Sequence, residues 1–523
     1  PLLEDEMRKI IHEGLSFERS YMEKQQALAY FGEHGERFKQ EIIAGLNVEQ
    51  VSIFTDGEFM DLCDGPHVEA TNKIGAFKLL SVAGSYWRGD EKNTTLTRIY
   101  GLAFDTKKEL DEYEHMKEEA KKRDHRKIGK ELDLFTFADL VGSGLPLWTP
   151  KGTILRNELD GFVQTIRARY GYQKVAIPHI TKRDLYEVSG HWEKFGDELF
   201  RITTREGKEY ALKPMNCPHH TQIFARRPHS YKEMPQRYSD TTMVYRDEQS
   251  GELGGLTRVL SITQDDSHVF CRHTQIKEEY FKIWDMVDTF YGAFGFSLKV
   301  RLSFHNPDEF EKYLGTKEIW NNAESSLEDI AKERGADYVV AHGEAAMYGP
   351  KLDFMATDSI GREHQVATIQ LDLNLPERFD LTYINEHGEK ERLAILHCAI
   401  MGSIERFTAV LIEHLGGNFP LWLSPVQVKV LPVSEKHHEY AHGVHQQLKE
   451  AGIRSLFDAT DESLGKKIRQ AKLEKVPYFF VVGDKEVASQ TVTVETRKGS
   501  EGAQSVDDIV QTLLHNIKNR TLD

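Results

Sequence analysis

The chain lacks most of the local signatures by which a sequence announces its chemistry. Among 523 residues there are only four cysteines, Cys63, Cys217, Cys271 and Cys398. They are widely scattered and form no C-x-x-C pair, which argues against a disulfide framework and for a reducing, cytoplasmic setting. No apolar run is long enough to span a membrane. No secretory signal opens the sequence, and the first residue, Pro1, points to a start downstream of the natural one. G-x-x-x-x-G-K-[ST] is absent, as is G-x-G-x-x-G after a strand, so the usual nucleotide loops are excluded. An excess of basic charge is missing too: 67 Lys and Arg stand against 83 Asp and Glu, a net charge of −16. A nucleic-acid partner therefore needs local basic patches. KKRDHRKIGK at 121–130 and KKIRQAKLEK at 466–475 offer two, although each reads equally well as one solvated helix face.

What is present is an ordinary globular composition, 39% hydrophobic and 29% charged, at a length that implies two to four domains. Residues 1–45 read as helix-rich, and 49–105 as a compact α+β piece containing MDLCDGPHV and GSYWRGD. Residues 107–130 read as one long charged helix, with Leu110, Tyr113, Met116 and Ala120 at helical spacing. From 148 to 420, strand patterns such as KVAIP, KLDFMA, HQVATIQLDL and AILHCAI follow one another without regular intervening helices. That order predicts a mostly antiparallel sheet with helices beside it. After 426 the elements alternate, which predicts a small α/β domain.

The central stretch is YRDEQSGELGGLTRVLSITQDDSHVF at 245–270. Counting by two places Arg258, Leu260, Ile262, Gln264, Asp266 and His268 on one strand face. A cation at one end and an amide, a carboxylate and an imidazole at the other suggest the floor of a site for a phosphate-bearing ligand. An edge strand with one solvated face is the plainer alternative. Arg246, Arg258 and Arg406, beside strand or helix ends, could clamp phosphates in two-point fashion. Cys217 in KPMNCPHH, His268 and His397 are of the types that bind Zn²⁺. Their sequence separation gives no signal, so the residues alone favour a buried cysteine and two satisfied histidines. Cys63 and His67 in CDGPH make half a metal site or a hydrolytic pocket, a weak pattern alone.

Taken together, MDLCDGPHV, GSYWRGD, KRDHRKIGKELDLF, GHWEKF, LKPMNCP, YRDEQSG, TQDDSHVF, YGPKLDF, GSIERF, PLWLSPVQV and VPYFFVVGDKEV resemble, in family order and over nearly the whole chain, the threonyl-tRNA synthetases among the class II aminoacyl-tRNA synthetases. The resemblance implies an α+β molecule: an editing-domain remnant at 1–106, a linker helix at 107–130, a class II antiparallel catalytic core at 131–420, and an α/β anticodon-binding domain at 421–523. It implies a homodimer, with Pro178 in the dimer-forming motif, that uses ATP with Mg²⁺ and one Zn²⁺ per subunit to join L-threonine to tRNA(Thr). By resemblance, Cys217, His268 and His397 are the zinc ligands. Asp266 meets the threonine side chain, with Gln264, Tyr348 and Met215 beside it. Arg246, Glu248, Arg258, Lys351, Gln365, Thr368, Ser403 and Arg406 line the ATP and adenylate pocket, and His191 serves transfer to tRNA. Zinc selects the hydroxyl amino acid against valine, whereas serine calls for editing.

The chain also departs from the family. Asp61, Cys63 and His67 match the second cluster of the editing domain, but the upstream H-x-x-x-H is absent, so the front reads as a shortened remnant in which serine clearance should fail. Ile262 replaces an aromatic residue expected on adenine, Cys398 an arginine, and Val366–Ala367 a Cys–Gly pair. In the last domain Glu486 and Arg497 match anticodon-reading positions, while Asp461 and Glu495 replace an Asn and an Arg. These changes keep a second reading open, that of a synthetase paralogue either tolerant of an inhibitor or regulating through bound tRNA. A ligase with altered amino-acid choice is a third.

Overall fold

A computed structural model describes residues 1–522. They form two units, Pro1–Glu119 and Ala120–Asp523. In the first, helices Leu2–Glu13, Lys24–Glu33 and Arg37–Gly45 accompany an antiparallel sheet of Glu18–Glu23, Gln50–Asp56 and Phe59–Leu62. Val51 and Ile53 alternate into a small core with Ala27, Phe31 and Ile43, as a one-sided strand requires. A long hairpin pairs Ala76–Tyr86 with Thr95–Phe104.

The segment expected as one helix is two. Helix α1 spans Lys107–Lys122 and helix α2 spans His125–Glu131. Between them Asp124 leaves the helical region, and its carboxylate accepts the Arg126 N–H at 2.8 Å. A residue that satisfies a free helical N–H begins a new helix more readily than it continues an old one.

Helix α3, Pro150–Arg169, starts at a Thr149 cap with proline in its first turn. It buries Leu155, Leu159, Phe162, Val163 and Ile166 at helical spacing. The second unit is organised around an eight-stranded sheet. In chain order its strands are β1 (Gln173–Lys174), β2 (Gln236–Tyr245), β3 (Ser261–Cys271), β4 (Ser297–Phe304), β5 (Tyr338–His342), β6 (Lys351–Thr357), β7 (Glu363–Asp372) and β8 (Ala394–Ser403). Across the sheet they run β5-β4-β6-β7-β8-β3-β2-β1. All interior pairs are antiparallel, and only the edge pairs β4/β5 and β2/β1 are parallel, which matches the expected architecture. Helices α3 and α5 (Ile276–Gly292) bury one face of the sheet together with Val269, Leu396, Cys398 and Ile400. Helix α4, Cys217–Ala225, packs at one end of the other face against Tyr238, Phe270 and Ile395. Helix α6, Ile404–Leu415, begins where β8 ends, capped by the Ser403 hydroxyl.

Two strand expectations are corrected. KVAIP contributes only its first residue to a strand, β1, which ends at Lys174. Strand β3 starts at Ser261, so Arg258 and Leu260 belong to the preceding loop and not to the strand face. Gly254, Gly255 and the turn from Gly254 to Thr257 end the strand pattern there.

Beyond residue 427, strands Val428–Pro432, Ser455–Phe457 and Tyr478–Val482 run parallel, and Thr491–Thr496 and Gly499–Ser505 add an antiparallel ribbon. Helices His438–Glu450, Leu464–Leu473 and Val506–Asn519 accompany them. This α/β part has its own apolar core, built on Val428, Val430, Phe480, Val492 and Val494.

Candidate functional site

The sheet face away from α3 and α5 carries the site. Because side chains alternate, the pairings His268↔His397, Asp266↔Ala399, Thr368↔Ala399 and Asp353↔Thr368 place Gln264, Asp266, His268, His397, Thr368 and Asp353 on this face. A cavity of about 570 Å³ opens at one end. Its lining includes Arg246, Glu248, Arg258, Ile262, Gln264, Gln365, Val366, Thr368, Ser403 and Arg406. Every residue expected at the ATP pocket is thus brought together except Lys351, which stands beside it with its ammonium 3.5 Å from Asp353.

The arginines differ in what already holds them. Arg258 is engaged by Glu248 at 2.5 Å and by Glu252 at 2.9 Å. Arg246 lies over the Phe195 ring, and its buried Nε has no hydrogen-bond partner among the described residues. Arg406 is exposed where it lines the cavity; partial desolvation there lowers it from its ordinary value, with no carboxylate among the described residues to offset this. Lining the cavity with no ion-pair partner among the described residues, Arg246 and Arg406 are free to pair with an anionic ligand.

At the other end of the face Cys217, His268 and His397 come together, with one donor atom from each inside a 4.8 Å cluster. His268 Nε2 and His397 Nδ1 are 3.1 Å apart. Two nitrogens about 2.0–2.1 Å from a shared tetrahedral ion would be roughly 3.3 Å apart. The Asp372 carboxylate accepts the far nitrogen of His397 at 2.9 Å, the arrangement that orients a ligating imidazole. His220 Nδ1 lies 2.8 Å from His268 Nδ1. Burial pushes the His268 imidazole well below its ordinary range, keeping it neutral as a ligand must be. Donor set, spacing and supporting groups all fit Zn²⁺. Asp266 is held beside them by Asn216 at 3.0 Å.

Around this cluster, Tyr348 sets its ring 4.9 Å from that of His397, and Met215 Sδ is 3.2 Å from His191 Nε2. His191 is buried, and desolvation, followed by the neighbouring His397 and Arg246, takes its pKa down to about 3. Its Nδ1 faces the Ser189 hydroxyl at 2.8 Å.

The pattern of the sequence concealed several residues that organise this face. Asp353, fully buried, accepts from Ser303, Gln365 and Thr368 at 2.7–2.9 Å, and so fixes two of the cavity side chains. Glu405 ties Thr263 and Ser403 together. On the opposite face Asp265 accepts the Ile400 and Met401 N–H groups and pairs with the buried Arg167. Burial raises Asp265 to about 6 against these partners. The adjacent acids in TQDDS were the only hint, since one must face each side of the strand.

Cys398, read as a change to the pocket, is not part of it. It faces the helix-covered core with Leu396 and Ile400, and Ala367 is likewise turned inward. Ile262 and Val366 do line the cavity.

The remaining candidates lie elsewhere. Asp61 pairs with Lys39 at 2.8 Å, Cys63 is half-buried, and His67 rests on Phe54 with ring centres 4.0 Å apart. The Glu486 carboxylate accepts the Gly483 N–H and the Thr493 hydroxyl. The Arg497 guanidinium donates to the Lys475 and Phe419 carbonyls.

Comparison with known proteins gives the following likenesses. Residues 200–415 match the family described as tRNA synthetase class II core domain (G, H, P, S and T), 427–516 an anticodon binding domain, and 51–100 the threonyl and alanyl tRNA synthetase second additional domain. A threonine–tRNA ligase of Porphyromonas gingivalis is 49% identical over 509 residues, covering 97% of this chain and 78% of that one. A threonine–tRNA ligase of Phocaeicola vulgatus is 47% identical over 523 residues, 99% of this chain and 81% of that one. The crystal structure of the RNA binding domain of threonyl-tRNA synthetase from Cryptosporidium parvum superposes with a TM-score of 0.72 at 38% identity, over 75% of this chain and 98% of that one.

Proposed function

The chain belongs to the threonyl-tRNA synthetases, and we propose that the two ends of its sheet face divide the work of that reaction. The enzyme activates L-threonine with ATP and transfers it to the 3′ end of tRNA(Thr). A threonine carboxylate oxygen attacks the α-phosphorus, the bond to the β-phosphate breaks, and pyrophosphate leaves. The terminal ribose hydroxyl of the tRNA then attacks the acyl carbon and AMP departs.

Arg246 and Arg406 hold phosphate oxygens, supplying the fixed positive charge that a phosphoryl transition state needs. Mg²⁺ accompanies the ATP. Arg258 joins them by exchanging its bonds to Glu248 and Glu252 for a phosphate, which frees Glu248 for the adenine. Gln365 and Thr368, aligned by Asp353, and Ser403 complete the nucleotide walls, and Lys351 approaches from beside Asp353. Ile262 offers adenine an aliphatic surface with no π-face.

Cys217, His268 and His397 would hold Zn²⁺, which when bound supplies a Lewis-acid position for the substrate amine and hydroxyl. Asp266, Gln264, Tyr348 and Met215 shape the rest of the amino-acid pocket. Valine lacks the hydroxyl and leaves Asp266 unpaired, and a site built around a hydroxyl rejects such an analogue by roughly 10⁴–10⁵. Serine lacks only a methyl, worth about 10- to 200-fold. His191, held neutral, is assigned to the transfer step.

Residues 1–106 are assigned to the editing domain with Asp61, Cys63 and His67, 107–130 to the linker, 131–420 to the core, and 421–523 to anticodon reading with Glu486 and Arg497. The working unit is a homodimer in the cytoplasm.

One observation carries this reading. Arg246 and Arg406, with no carboxylate partner among the described residues, line the cavity at one end of a strand face whose other end gathers Cys217, His268 and His397, with Gln264 and Asp266 between. Amino-acid-dependent ATP–pyrophosphate exchange tests it on zinc-containing protein. Exchange with threonine, weaker exchange with serine and none with valine is expected. No exchange with any of the three would overturn it.

A further inference from the structure

Outside the site, one histidine ties together the two segments that carry the phosphate-binding arginines. His125 opens helix α2 and is buried. Its Nδ1 lies 2.7 Å from the Glu413 carboxylate near the end of α6, and its own N–H donates to the same oxygen at 3.1 Å. Its other ring nitrogen, Nε2, accepts the backbone N–H of Leu256 at 3.1 Å. The tautomer follows from these partners: Nδ1 faces a carboxylate and carries the proton, and Nε2 offers its lone pair to an N–H. Both ring nitrogens are thereby used, so the Asp124–His125–Glu413 cluster acts as a staple and not as a metal site.

Each end of the staple is fixed to an element that lines the nucleotide cavity. Leu256 is fully buried and stands two residues before Arg258, in the loop that joins β2 to β3 and whose first residues are Arg246 and Glu248. Glu413 lies seven residues after Arg406 on the same helix, and Arg362 holds it from its other side at 2.7 Å. The loop passes so close to the imidazole that a Cβ on Gly255, already at φ +56°, would fall 2.3 Å from His125 Nε2.

We infer that His125 is a positioning residue for ATP: by joining the Leu256 amide to Glu413 it fixes the spacing between the loop that carries Arg246 and Arg258 and the helix that carries Arg406. The inference rests on the nucleotide reading of the cavity. It assigns a function to the KRDHRKIGK segment that neither a solvated face nor a basic patch provides.

The test compares wild type with His125→Asn and His125→Gln. The asparagine amide can occupy the place of Nδ1 and keep the bond to Glu413, but it cannot reach Leu256. The glutamine amide oxygen can reach the place of Nε2 and accept the Leu256 N–H. For His125→Asn, KM for ATP in pyrophosphate exchange rises about three- to tenfold, the effect of one lost hydrogen bond. KM for threonine stays within about twofold, and the Leu256 amide exchanges faster with solvent. His125→Gln restores KM for ATP and amide protection together. Two results would overturn the inference. One is a faster Leu256 amide with unchanged KM for ATP. The other is an equal rise of KM for ATP and threonine in both variants. Were the wild type to show no exchange activity, the ligase reading alone would fall. ATP affinity by calorimetry in the same three proteins would then decide whether His125 sets the cavity.

Discussion

Arg406 is unusual among the cavity's charges for standing without a carboxylate among the described residues. It is exposed to the cavity it lines, and partial desolvation there lowers it from its ordinary value. A cavity guanidinium whose charge offsets no carboxylate adds little to the fold and is available to a ligand. Arg406→Met is therefore expected to leave the melting temperature nearly unchanged while lowering kcat/KM for ATP by about 10²- to 10³-fold, the usual cost of losing one preorganised charge donor. A thermal melt beside pyrophosphate exchange checks both, and a fall in melting temperature would show that the guanidinium has structural work instead. Asp372 makes the complementary case at the metal end. It touches no substrate in the assigned site, yet it orients His397. Asp372→Asn should weaken zinc retention about 10- to 100-fold in chelator competition, measured without any activity assay. At this scale the sequence was legible where motifs coincide and opaque where a role depends on burial. Cys217, His268 and His397 are too far apart for spacing to unite them, and motif resemblance alone named them. Asp372, Asp353, His220 and Arg167 looked like any strand or helix residue, because what distinguishes them is a partner distant in the chain. Cys398 shows the converse: its place within a motif suggests a change in the site, but strand alternation turns it to the other face.

Among the elements, the break between α1 and α2 has the clearest consequence. Periodicity continues across 121–125, which is why the segment read as one helix. The capping tendency of Asp124 outweighs it, because the cap both satisfies the Arg126 N–H and turns His125 toward Glu413. Asp124→Ala should cost about 1 kcal/mol, as lost N-caps do. The exposed ion pair with Arg126 adds little to that. The pH dependence has a definite sign. The Arg126 side chain first, and its backbone N–H after the opposing effect of burial, hold Asp124 at about 2 against an ordinary 3.8. A carboxylate with a depressed folded pKa stabilises fully above its unfolded value and loses that contribution as pH falls through the folded one. The difference between wild type and Asp124→Ala should accordingly be constant above about pH 4 and shrink between about pH 4 and 2, as denaturant unfolding at stepped pH would show. Strand β3 carries the same lesson. The expected period of two holds from Ser261 onward, but counting it back to Arg258 missed that the turn after Gly254 had already ended the strand.

For the whole molecule the question is how a chain of net charge −16 engages a polyanion. The answer must be local, and the C-terminal α/β part with its basic helix Leu464–Leu473 is one place to look. Much of that charge is already spent. Lys429 is paired with Asp458 and Glu474, Lys466 with Glu462, and Lys467 donates to the Pro432 and Asp458 carbonyls. Whatever cations do meet tRNA phosphates release counterions when they bind, so affinity falls with salt at a logarithmic slope of roughly −0.7 to −0.9 per phosphate. The cavity proposed for ATP instead receives one small ligand from solution, which carries no condensed counterion atmosphere like that of a polynucleotide. The two half-reactions should therefore separate under one variable. Between about 50 and 300 mM NaCl, two phosphate contacts are enough to raise KM for tRNA(Thr) more than tenfold, whereas threonine-dependent pyrophosphate exchange should change by less than about twofold. Aminoacylation and exchange measured over the same salt series decide the matter. Parallel loss of both would mean that salt acts on the catalytic core. A flat tRNA response would mean that this acidic chain recognises its RNA with few phosphate contacts, through bases and shape.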